Sequence, residues 1–161
     1  MTKPRVQLGA IIILSFLAIS LLISQKAAPD APPFFALKRV QEKVFLKLKS
    51  NAGDRIDYMS SLLDSRLEEL QSVEKNKNYD YILSSSLRYS ASAGQITELV
   101  TTNNLTDKVD TIKNQFLNHQ KLLDALYVAY PKNIPDNWEW KYIQDDFNYL
   151  GLYLDQLKEI K

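Results

Sequence analysis

Between Phe34 and Tyr130 the chain contains no proline, and only two of its four glycines, Gly53 and Gly94, fall there. Proline removes a backbone donor and clashes with the preceding turn, so a long stretch without it leaves helices free to run for many turns. The six prolines sit near the ends instead: Pro4, Pro29, Pro32 and Pro33 on one side, Pro131 and Pro135 on the other. With 161 residues, 45% of them hydrophobic, the chain can build one cooperative core.

Apolar spacing divides the body into helices. Phe34, Leu37, Val40, Val44, Phe45 and Leu48 fall on one side of a 3.6-residue wheel, with Lys38, Arg39, Glu42, Lys43, Lys47 and Lys49 on the other. Gly53 suits a left-handed C-terminal cap for this first helix, and Asp54 an N-cap for the next. The second helix carries Ile56, Met59, Leu62, Leu63, Leu67, Leu70 and Val73 and runs out in the polar stretch Glu74 to Asn78. A third, from about Tyr79 to Val100, places Ile82, Ser86, Tyr89, Ala93, Ile96 and Val100 in steps of three and four, and Ser84 to Ser86 with Ala91 to Gly94 make its surface small. The fourth has the cleanest period, a coiled-coil-like alternation through Leu105, Val109, Ile112, Phe116, His119, Leu123, Leu126 and Tyr130. The last repeats it with Trp140, Ile143, Phe147, Leu150, Leu154 and Leu157. Helices joined by short polar turns bury their stripes against one another, so the expected fold is all-α: an N-terminal transmembrane helix followed by an up-and-down bundle of four to five helices over residues 34–161.

The transmembrane expectation rests on residues 1–25. No charge occurs from Val6 to Gln25; at a rise of about 1.5 Å per residue, roughly 20 apolar residues cross a hydrocarbon core of ~30 Å. Lys3 and Arg5 would also suit a secretory signal. The apolar run is longer than a signal core, and Lys26 with Pro29 spoils the cleavage site around Ala27 and Ala28, which favours an uncleaved anchor. Residues 26–33 then read as an Ala/Pro spacer. A short basic tail ahead of a hydrophobic helix stays inside, which puts the bulk of the chain outside the cytoplasm.

Little catalytic chemistry stands out. One histidine, His119, and no cysteine cannot assemble a usual zinc or di-iron site, no nucleophile or phosphate-loop motif occurs, and no cofactor is called for. Glu68 with Glu69 and Asp145 with Asp146 are helical neighbours that diverge by about 100° and are expected on the surface. Without its basic tail the body has 18 basic against 19 acidic residues, 20 less Lys3 and Arg5, so nucleic acid is not an expected partner. The lipid bilayer, through the N-terminal helix, and another protein or a second copy are. The candidate interaction surface is the second aromatic set of the last helix, Trp138, Tyr142, Tyr149 and Tyr153, nearly opposite its seam.

Pro-containing entry into Ala36-Leu37-Lys38-Arg39, then Glu42 and Lys43, Asp54-Arg55, and Ser65-Arg66-Leu67-Glu68-Glu69 together resemble a bacterial family of unknown function. Its members are helical hairpins just outside a membrane helix, and the resemblance spans about Phe34 to Val100. In some members a cytoplasmic region like that of anti-sigma factors precedes the membrane helix, which implies envelope signalling for those. The resemblance implies no catalytic residue. The expected role is thus a membrane-tethered extracytoplasmic interaction or sensory module, with self-association through the last helix as the alternative and an enzyme further behind.

Overall fold

Asn51 starts the helix that follows the first. Its side-chain oxygen accepts from the Asp54 amide at 2.7 Å while its Nδ2 donates to Asp54 Oδ2 at 2.8 Å, a reciprocal cap that fixes the second helix's first turn. The cap is therefore Asn51 and not Asp54, and Gly53 lies inside the helix without a left-handed φ. Two polar residues supply the left-handed turns instead, Lys77 (φ 59°) and Asn104 (φ 48°).

The computed structural model describes Ser15, Ile19, Ala27, Pro29 and residues 32–133 and 138–160. Beyond Ser15 and Ile19, which are helical, its elements are α1 (Pro32–Leu48), α2 (Ala52–Lys75), a 3-10 turn (Tyr79–Tyr81), α3 (Ile82–Thr102), α4 (Thr106–Ala129) and α5 (Trp140–Lys158), with no strand among the described residues. The chain forms two compact units, 1–45 and 46–161.

In the second unit α2, α3, α4 and α5 form the expected all-helical bundle. α3 packs closely on α2 and on α5, and α5 packs closely on α4, whereas the consecutive helices α3 and α4 barely approach each other. Around the bundle the order is therefore α2, α3, α5, α4. Ile56, Leu63, Ile96, Phe116, Leu123 and Leu150 are among its fully buried centre. The seam read for α4 is buried from Val109 to Tyr130 at every expected position.

Four expectations are corrected. In α1 the apolar side faces solvent, with Val40 59% and Leu48 72% exposed and Phe34, Val44 and Phe45 also exposed, while Phe35, Lys38 and Glu42 are buried. Amphipathic spacing marks a stripe without saying whether a partner covers it. In α5, Asp146 is 1% exposed and Phe147 sits at the solvent edge. Both lie one turn from Ile143 and Leu150, and periodicity cannot choose between steps of three and four. Glu69, expected outside, is buried and paired with Arg66 at 2.9 Å. Finally, the third helix begins at Ile82, after the 3-10 turn. The proposed membrane helix of residues 1–25 lies almost wholly outside the described residues, among which no helix is long and apolar enough to cross a membrane.

Candidate functional site

Besides the buried Arg66–Glu69 pair, two polar insertions interrupt the bundle's core. The first runs along the α2–α4 edge, where Asp57, Ser60 and Asp64 recur at steps of three and four and face Lys108, Gln115 and His119. Lys108 Nζ donates to Asp57 at 2.7 and 2.8 Å, and that bond holds the Lys108 pKa above its ordinary value. Ser60 Oγ donates to Gln115 Oε1 at 2.7 Å, and Gln115 Nε2 returns bonds to the Ser60 carbonyl and to Asp64 Oδ1.

The row ends in a chain of three residues that runs from the exposed Asp64 to the buried His119 and Tyr89. His119 Nε2 lies 2.9 Å from Asp64 Oδ1, and its Nδ1 lies 3.0 Å from the hydroxyl of Tyr89 on α3. A carboxylate only accepts, so Nε2 carries the proton and donates to Asp64; Nδ1 is then the acceptor and Tyr89 the donor. Burial lowers the His119 pKa, opposed in part by Asp64, and burial drives the Tyr89 hydroxyl far above its usual value. Both groups are neutral at pH 7. Such a chain can pass a proton, but Tyr89 is wholly buried and the Asp64 carboxylate is the half-exposed end. A substrate therefore meets the carboxylate and never the phenol.

The second insertion lies between α3 and α5. Ser86, Ser90 and Gly94 recur every four residues, and their small size admits α5 closely. Asp146 of α5 is buried here. The hydroxyls of Ser86 and Ser90 come near enough to favour its charged form, yet they donate to the carbonyls of Tyr142 and Ser86, and neither Asp146 oxygen completes a hydrogen bond. Burial wins, and its pKa rises from 3.8 to about 8. A neutral carboxyl thus sits in the core. Sequence spacing points to His119 but offers nothing for Asp146 beyond its place one turn from Ile143.

The four aromatic candidates divide. Tyr153 is half-buried: its hydroxyl lies over Gly94 and its ring is tilted against Phe116 at 6.4 Å. Tyr142 is half-buried against the core. Tyr149 is exposed, stacked on Tyr153 at 6.4 Å. Trp138, 60% exposed, stands near the other end of α5 with Lys141 Nζ 4.2 Å above its ring. Next to it Lys132 Nζ lies 3.4 Å from the Tyr127 ring, which meets Trp140 edge-on. Among the described residues no group of three His, Cys, Asp or Glu side chains is placed to hold a metal ion.

A family described as a domain of unknown function, DUF5667, matches residues 26–133. The match takes in α1 to α4, including Asp64, Tyr89 and His119, and ends before α5 with Asp146 and the aromatic set. No curated protein and no solved structure matches the chain.

Proposed function

We propose, for a chain that belongs to the DUF5667 family of domains of unknown function, a membrane-tethered module of a bacterial cell envelope whose helical bundle binds another protein outside the cytoplasm. The observation that carries this reading is one of sequence: the charge-free run from Val6 to Gln25 is long enough to cross a bilayer and leads through a proline-rich spacer into a helical body. The surface offered to the partner is the exposed part of the aromatic set, Trp138 and Tyr149, whose large rigid rings give contact area at little entropic cost. Two measurements test it. Full-length protein stays in the membrane after alkaline carbonate washing and is digested by protease added to spheroplasts; release by carbonate, or digestion only after lysis, ends the tether or the orientation. Crosslinking in native membranes should recover a partner that Trp138→Ser with Tyr149→Ser loses.

Self-association is the second reading, and Leu152 favours it: this large apolar side chain is exposed one turn from Tyr149. Crosslinks between copies alone, removed by Leu152→Ser, would select it.

A further inference from the structure

We propose that α1 is an interfacial helix lying along an anionic lipid surface, with the side that bears Phe34, Val40, Val44 and Phe45 set into the acyl boundary. The inference rests on the membrane-tethered reading. Its first support is exposure. These four residues and Leu48 are all exposed large hydrophobics on one side of a 17-residue helix. Single exposed apolar residues are ordinary; five on one side of a helix, with the half-buried Gln41 the one polar residue among them, mark a contact surface.

Charge selects the occupant. Arg39, Lys43 and Lys47 are exposed on α1, and the one acidic residue between Phe34 and Lys49, Glu42, is buried. The exposed polar side of the helix is therefore cationic only. On a 100° wheel Lys47 flanks the apolar stripe, followed by Lys43 and then Arg39, so their long stems can carry the charges up to phosphate level while the stripe sinks below it. A second copy would bring the same cations against these, an unfavourable pairing that an anionic surface turns into attraction.

Reach agrees. Pro32 follows Gln25 by seven residues, and at no more than ~3.6 Å per residue α1 starts within about 25 Å of the end of the apolar run. A tether this short holds the helix at the head-group region whenever the run is embedded, so the stripe is presented to lipid at high local concentration.

The chain has no cysteine, so Val44→Cys and Arg39→Cys in the full-length protein each take a single environment-sensitive fluorophore. Both positions are exposed, and circular dichroism verifies that the helices persist. In vesicles of phosphatidylcholine with phosphatidylglycerol, the label at position 44 should shift to the blue with a several-fold rise in emission, and bromolipids should quench it. The label at position 39, about 140° away on the wheel, should stay water-like. Without phosphatidylglycerol, or at high salt, the position-44 signal should weaken. A water-like signal at both positions overturns the proposal, and so does an equal blue shift at both. Carbonate extraction reads the tether separately. Extractable protein with position 44 in lipid keeps the interfacial helix and removes the tether, whereas resistant protein with position 44 in water removes the helix alone.

Discussion

The α2–α4 edge and the α3–α5 interface each bring an ionisable side chain into one core, and they tolerate it by opposite means. Along α2–α4 every donor has an acceptor: Lys108 with Asp57, Ser60 with Gln115, His119 between Asp64 and Tyr89. The network reaches solvent through Asp57 and Asp64, whose charges stay hydrated. At α3–α5 the small residues Ser86, Ser90 and Gly94 let the helices close before any strong donor can reach Asp146, so the group is accommodated by giving up its charge. A buried polar group can be satisfied by partners or by a proton, and the second route makes stability fall as pH rises from about 4 to about 8.

The largest effect should come from removing that proton dependence. Asp146 has a folded pKa of about 8 against 3.8 ordinarily. Below about pH 4 both states are protonated and nothing is lost. Between about pH 4 and 8 the unfolded chain ionises while the folded one does not, so stability falls by roughly 1.4 kcal/mol per pH unit and levels off above pH 8. Asp146→Asn cannot ionise and should be more stable than the natural protein by up to about 4 kcal/mol at pH 7. Urea unfolding across this pH range checks it; a variant of equal or lower stability at pH 8 would mean that Asp146 is charged and solvated in the folded state.

His119 should respond on the acid side and more weakly. Its pKa is lowered by burial, so stability is lost as pH falls below the ordinary value of 6.5. That limb opposes the Asp146 limb in the same window and becomes visible by itself in the Asp146→Asn background. His119→Phe should abolish it and cost about 2 kcal/mol, because the wholly buried Tyr89 hydroxyl loses its acceptor. Adding Tyr89→Phe should recover part of that loss. Strict additivity of the two substitutions would show that the hydrogen bond contributes nothing.

How far the sequence reveals these two regions follows from what spacing can encode. The α4 seam, His119 included, is legible because a three-four alternation over many turns admits one buried face. The carboxylate partner of His119, Asp64, is not, since Asp57, Ser60 and Asp64 repeat with the same period beside the apolar stripe of α2 and read as ordinary surface. Asp146 and Phe147 compete for a single place in the α5 stripe, and the small residues of α3 decide it by drawing α5 close. For α1 the amphipathic pattern was legible and its burial was not, because Lys38 and Glu42, read as outer residues, are inside while Val40 and Val44 are outside. The sharing of the last helix between two neighbours explains the split aromatic set: Tyr153 is taken up over Gly94, whereas Tyr149 is left free of the core.

The smallest effect, at Gly94, bears on why Asp146 is dry. Alanine within a helix is favoured over glycine by up to about 1 kcal/mol. A Cβ at Gly94 would meet the Tyr153 hydroxyl at 2.8 Å and its Cζ at 3.3 Å. Tyr153 is half-buried, and the atom in the way is the far end of its side chain, so the ring can swing outward at a modest cost. Gly94→Ala should therefore change stability by less than about 1 kcal/mol in either direction, the helix gain offsetting the displaced ring. In the Tyr153→Phe background the closest contact is gone and the same substitution should become stabilising. Its effect on Asp146 is the sharper reading. If the displaced ring lets water reach the carboxyl, the pH range over which stability falls should end lower than about pH 8, because hydration returns the group toward its ordinary pKa. A loss of several kcal/mol in both backgrounds would instead show that α5 itself, and not the Tyr153 hydroxyl, closes over Gly94, and that this backbone contact is what keeps Asp146 from water.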